Sequence, residues 1–181
     1  MVVAIGANAP SHAGDAHQTV LAAITMLGDV FGELSVSKLY QTPAFPSESG
    51  PDFVNAACSF HTEMPAREVL LALHSVEAEF GRERLIRWGQ RTLDLDLIAF
   101  GDFVLPDSET SNHWRNLPIE DQKVQTPDTL ILPHPRVQDR AFVLVPMADI
   151  APDWVHPVLG QTTLEMLARL PASDRNEVLA L

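Results

Sequence analysis

Cysteine, lysine and tyrosine are nearly missing from this chain of 181 residues. Cys58 stands alone, which excludes an internal disulfide and a zinc site built on cysteines. Lys38 and Lys123 are the two lysines, and neither lies in a glycine-rich turn. No phosphate-binding loop of the form Gly-x-x-x-x-Gly-Lys-Ser/Thr can therefore be drawn. No apolar run approaches the ~20 residues needed to span a bilayer. The apolar stretch at residues 2–5 is short and lacks the basic flank of a secretory signal. Positive charge is scarce as well: 12 Lys and Arg stand against 24 Asp and Glu, a formal net charge of -12. Such a chain repels nucleic acid and anionic lipid as a whole. The expectation from these absences is a soluble, cytoplasmic protein without nucleic acid or membrane as a partner.

Hydrophobic residues make up 46% of the chain, enough for the core of one domain. Residues 2–5 read as a short buried strand that turns at Gly6-Ala7-Asn8. Asp15 is a good helix cap, and Val20, Ala23, Ile24, Leu27 and Phe31 fall at helical spacing behind it. Residues 34–40 alternate as a strand and 53–60 form the next one, with a proline-rich loop between them. Pro65 opens a helix whose buried stripe is Val69, Leu70, Leu73, Val76 and Phe80, and Gly81 ends it. Residues 92–100 are the clearest strand. Residues 106–129 form a polar insertion without strong periodicity, helices follow at about 139–149 and 162–169, and residues 171–181 read as a weakly ordered tail. The order strand, helix, two strands, helix, strand predicts an α+β, ferredoxin-like antiparallel sheet with packed helices in three layers, α/β/α. Residues 1–170 are expected to form this single domain.

Thr92-Leu93-Asp94-Leu95-Asp96-Leu97 carries the sharpest chemical signal. Alternation puts Leu93, Leu95 and Leu97 on one face and Asp94 and Asp96 on the other, about 7 Å apart. Adjacent like charges on a strand are unfavourable unless something positive offsets them. A hard divalent cation, Mg²⁺ or Mn²⁺, suits two carboxylates, although a solvated strand with incidental acids has the same pattern. Four of the ten arginines, Arg82, Arg84, Arg87 and Arg91, crowd the segment just before this strand. Carboxylates for a metal beside arginine forks for phosphate oxygens is the division of labour of phosphoryl transfer. His134, between Pro133 and Pro135 and near Arg140, could donate to a phosphate or simply lie on the surface. Phe53 and Asn55 share a strand face, and an asparagine amide offers a donor and an acceptor to a heterocycle edge. No residue presents itself as a general base.

Taken together these blocks resemble a known family. Arg87-Trp88-Gly89-Gln90-Arg91-Thr92-Leu93-Asp94-Leu95-Asp96 is joined by Tyr40-Gln41-Thr42-Pro43 and by Asp52-Phe53-Val54-Asn55-Ala56-Ala57. Glu77 with Gly81-Arg82-Glu83-Arg84, Leu132-Pro133-His134 and Asp139-Arg140-Ala141-Phe142 complete the set, in order along residues 1 to about 157. The sequence resembles 6-hydroxymethyl-7,8-dihydropterin pyrophosphokinase. The resemblance implies transfer of pyrophosphate from ATP to the hydroxymethyl group of the reduced pterin, with release of AMP, in folate biosynthesis. It implies that Asp94 and Asp96 hold two Mg²⁺ ions and that Arg82 and Arg91 steady the charge developing on the phosphates. It places His74, Glu77, Arg84, Trp88, Leu97, His134 and Arg140 around ATP. It places Thr42, Pro43, Phe53, Asn55 and Phe142 around the pterin. A monomer is expected.

The sequence departs from the family in places. Thr129 and Ile131 stand where many members have Arg and Thr near ATP, and Pro135 replaces a common tyrosine. A metal-dependent phosphohydrolase with an aspartyl nucleophile is a rival reading, but it needs acids at the end of a parallel strand. A non-enzymatic ligand-binding module is another, and it leaves the paired acids and the four arginines without a purpose.

Overall fold

The computed structural model describes residues 1–44, 50–82, 91–118, 121 and 124–181. Strand β1 (Val2–Ala7) leads to helix α1 (Ala16–Phe31), and β2 (Ser35–Val36), β3 (Tyr40–Thr42) and β4 (Phe53–Ser59) follow. Helix α2 (Ala66–Glu79) then crosses to β5 (Asp94–Ala99). Beyond it come α3 (Ser108–Arg115), a 3-10 turn (Val137–Asp139), α4 (Ala141–Ile150), α5 (Thr163–Arg169), α6 (Ala172–Asn176) and β6 (Leu179–Ala180). No helix among the described residues is long and apolar enough to cross a membrane.

The sheet runs β5-β1-β4-β3-β6, every pairing antiparallel, with β2 also on β4. Alternation along the strands sorts the core into two layers. Val3, Ile5, Val54, Ala56, Cys58, Leu93, Leu95 and Leu97 meet Val20, Ala23 and Leu27 of α1 and Val69, Leu73 and Val76 of α2. On the other face Val2, Ile98 and Ala99 meet Val143, Leu144 and Met147 of α4 and Met166 of α5. This is the expected three-layer ferredoxin-like α+β architecture.

Local chemistry sets the element ends. Asp15 Oδ1 accepts from the Gln18 N–H at 2.8 Å while Gln18 Oε1 accepts from the Asp15 N–H at 3.0 Å, a reciprocal cap on α1. Gly81, at φ +72°, turns the chain out of α2 in a conformation that favours glycine.

Two expectations need correction. The strand expected over 34–40 splits into β2 and β3. Ser37 between them donates its N–H to the Ala57 carbonyl, and its hydroxyl takes the place of a backbone acceptor for the Ala57 N–H at 2.9 Å. Within the segment read as a polar insertion at 106–129, Asp107 caps α3, and backbone bonds between Leu105 and Leu132 close its base. Residues 171–181 do not form a loose tail. They make α6 and β6, whose pairing with Tyr40 and Gln41 satisfies backbone groups at the open edge of β3.

Candidate functional site

The register of the sheet assembles the site. Gly6 of β1 lies opposite Asp94 of β5 on one side and Asn55 of β4 on the other, and Asn55 in turn faces Tyr40 of β3. Thr42 faces Phe53 in the next row. Directly opposed residues share a face, so both acids, Asn55, Phe53 and Thr42 lie on the side away from α1 and α2. Gly6 leaves little room here: a Cβ on it would lie 3.2 Å from Asn55 Oδ1, so the amide would have to give way slightly. Asn55 is buried, and its Nδ2 donates to Thr42 Oγ1 at 2.7 Å, which leaves Oδ1 over Gly6.

Arginines clamp the acids. Arg82, just past the end of α2, reaches Asp94 Oδ1 at 2.6 Å and also pairs with Glu77. Arg91 pairs with the other oxygen of Asp94. Arg140, ahead of α4, lies 3.5 Å from Asp96 Oδ2, and its guanidinium carbon sits 5.7 Å from the centroid of the Phe142 ring. The Asp94 side chain is only 15% exposed. Burial and the charge of Asp96 push its carboxyl above the ordinary value, against the pull of Arg91 and Arg82. A bound cation would relieve that repulsion.

His134 is fixed by its backbone, which donates to the Ile98 carbonyl at 2.8 Å. Its Nδ1 accepts from the Arg136 N–H at 3.1 Å, so the neutral ring carries its proton on Nε2. Burial first, then the charge of Arg140, hold the imidazole down at about 3, so it stays neutral at physiological pH.

The remaining expected residues fall out unevenly. Phe53 is half-buried on β4, while Phe142 in the first turn of α4 is 41% exposed, beside Arg140. Pro43 is exposed just after β3, and His74 lies half-buried on α2, one turn before Glu77. Two residues expected in the nucleotide pocket have other work. Leu97 packs its side chain into the core beneath α1 and α2, because it alternates with the acids. Glu77, 2% exposed, accepts the Leu95 N–H at 2.8 Å and pairs with Arg82, so its carboxylate braces β5. Arg84, Arg87 and Trp88 lie outside the described residues.

Sequence reasoning missed the part played by Asn8, whose amide bonds the backbones of Arg91 and Pro51. Its only local signal is the Gly-Ala-Asn turn after a buried strand.

Among the described residues no group of three or more His, Cys, Asp or Glu side chains could hold a metal. Asp94 and Asp96 supply two hard oxygen donors instead. Mg²⁺ is typically held by one or two carboxylates and completes its shell with water and substrate phosphates. The two acids fit an ion that shares its coordination with a nucleotide.

The family described as 7,8-dihydro-6-hydroxymethylpterin-pyrophosphokinase matches residues 2–152. A 2-amino-4-hydroxy-6-hydroxymethyldihydropteridine pyrophosphokinase of Synechocystis is 37% identical over 134 residues, 74% of this chain and 58% of that protein. Its counterpart in Pseudomonas aeruginosa is 38% identical over 138 residues, 76% of this chain and 72% of that one. The folic acid synthesis protein fol1 of Schizosaccharomyces pombe is 32% identical over 164 residues, 90% of this chain but 20% of that protein. The chain thus spans under two thirds of some relatives it matches. In fold it is similar to the wild-type HPPK-DHPS protein of Plasmodium falciparum, with a TM-score of 0.63, 14% identity, and coverage of 93% of this chain and 44% of that chain.

Proposed function

The chain belongs to the 7,8-dihydro-6-hydroxymethylpterin-pyrophosphokinase family, and we propose that it transfers pyrophosphate from ATP to the hydroxymethyl group of 6-hydroxymethyl-7,8-dihydropterin. The products are AMP and the pterin pyrophosphate, a step in tetrahydrofolate biosynthesis. The observation that carries this reading is the Asp94–Asp96 pair on one strand face, with Arg82 and Arg91 on Asp94 and Arg140 at Asp96.

In this reaction the pterin hydroxyl oxygen attacks the β-phosphorus, and the bond from that phosphorus to the α–β bridging oxygen breaks. The electron pair leaves with AMP and the hydroxyl proton passes to solvent. Little covalent work falls to the protein, which positions the reactants and neutralises charge. Asp94 and Asp96 hold Mg²⁺, two ions in this reading, which supply positive charge for the triphosphate oxygens when bound. Arg82 and Arg91 offer their N–H groups to the phosphate oxygens on which charge develops as the bond to AMP breaks. His134, through Nε2–H, and Arg140 grip ATP, and Arg84 and Trp88 complete that side. Asn55 Oδ1, over Gly6, accepts from the pterin edge, with the backbone at Thr42 and Pro43 beside it. Phe53 and Phe142 hold the flat ring. Glu77 acts behind Arg82, and His74 lies on the same helix.

The chain acts as one domain in this reading, with β6 closing the sheet edge at β3 and the insertion at 106–129 on the nucleotide side. The protein works as a cytoplasmic monomer. The test is a product assay with Mg²⁺, ATP and the reduced pterin. AMP formed in step with pterin consumption is expected. ADP or free phosphate with the pterin untouched would overturn the reading.

A further inference from the structure

Asn8 sits at the end of β1, 5% exposed, and its side chain is used at both ends. Its Oδ1 accepts from the Arg91 N–H at 2.8 Å, and its Nδ2 donates to the Pro51 carbonyl at 3.1 Å. The bonds to Arg91 are doubled by the backbone: the N–H groups of Asn8 and Ala9 donate to the Arg91 carbonyl at 3.0 and 3.1 Å. Both main-chain polar groups of Arg91 are therefore pinned from residues 8 and 9, in the turn that follows β1, the strand next to β5. Pro51 directly precedes Asp52 and Phe53, and Asp52 is itself tied to Gln41 at 2.7 Å. Few side chains can serve an N–H and a carbonyl from one rigid plane; an asparagine amide can.

We propose that Asn8 is a positioning residue that couples the phosphate side of the site to the pterin side, holding Arg91 in register with Asp94 through one amide while it ties down the chain entering Phe53. The inference rests on the pyrophosphoryl-transfer reading for the part Arg91 plays. Arg91 can meet Asp94 only from a fixed backbone, because a long side chain swings widely from a loose one. A displacement of about 1 Å at such a group is enough to cost up to ~100-fold in rate.

The experiment compares wild type, Asn8→Ala and Asn8→Asp, each also in an Arg91→Ala background. Asp keeps the acceptor for the Arg91 N–H but loses the donor to Pro51. Asn8→Ala is expected to lower kcat about tenfold, with KM for ATP within about twofold. Asn8→Asp should recover most of kcat and raise KM for the pterin. With Arg91 already Ala, Asn8→Ala should change kcat by less than about twofold, because the two act as one unit. An equal fall in both backgrounds, or no fall in the wild type, overturns the proposal. Where Asn8→Ala fails to fold, Asn8→Asp decides: a uniform loss of kcat and affinity overturns it. Amide exchange at Arg91 is read without turnover. It should quicken about tenfold or more in Asn8→Ala and stay slow in Asn8→Asp. If the wild type makes no AMP, the functional reading has failed, and unchanged exchange in Asn8→Ala would then sink the coupling as well.

Discussion

Glu77 on α2 and Asp94 on β5 share one guanidinium, that of Arg82. The buried acid thus acts on the site through an arginine and, by accepting the Leu95 N–H, through the strand itself. Replacing Glu77 by Ala leaves a buried donor unpaired and the arginine half-served. A loss of about 2–4 kcal/mol in unfolding free energy is expected. Glu77→Gln, which keeps the acceptor, should lose about half as much. Urea titrations of the two variants measure this, and equal, small losses would show that water had replaced the carboxylate.

Asp94→Ala and Asp96→Ala should each remove turnover, by about 10³-fold or more, with the fold intact. Circular dichroism and the AMP assay on the same samples check both halves. Activity within about tenfold of the wild type would refute the assignment of these acids as metal ligands.

Gly6→Ala places a methyl group 3.2 Å from Asn55 Oδ1. The amide must give way by a few tenths of an ångström, at the point where a ring edge would be read. KM for the pterin should rise about tenfold while KM for ATP and the melting temperature change little. Steady-state kinetics with each substrate varied separately tests this. A rise in the ATP constant instead would move the pterin away from Asn55.

Tyr40 donates its hydroxyl to Asp149 Oδ2 at 2.8 Å, and burial together with that carboxylate holds the phenol up at about 12. Its neutral form is favoured in the folded state. The stability it contributes is therefore fully present below the ordinary phenol range near pH 10 and lost as pH rises from there towards 12. The difference in melting temperature between wild type and Tyr40→Phe should shrink across that window. A constant difference would mean that the hydroxyl titrates alike in both states.

Much of the site was legible because strand alternation is strict. The run from Leu93 to Leu97 shows which residues face the core and which face away, and the structure keeps that division. The reciprocal cap at Asp15 and Gln18 is local and can be read from four residues. What escaped depends on partners far along the chain. Glu77 reads as a pocket acid until β5 is laid beside α2. Asn8 reads as a turn residue until Arg91 and Pro51 arrive, 83 and 43 residues away. The break at Ser37 arises because a hydroxyl replaced a backbone acceptor. Helix α3, Ser-Glu-Thr-Ser-Asn-His-Trp-Arg, has almost no apolar stripe to announce it.

Cys58 lies in β4, fully buried at the centre of the sheet, where burial pushes its thiol up to about 12. A thiol that is both inaccessible and protonated hardly reacts with disulfide reagents. With no second cysteine to compete, each labelling event counts one opening of the central strand. The chain therefore carries its own clock for unfolding. Any substrate that binds the folded form alone should slow that clock in proportion to its occupancy, which gives binding constants for each substrate without observing the reaction.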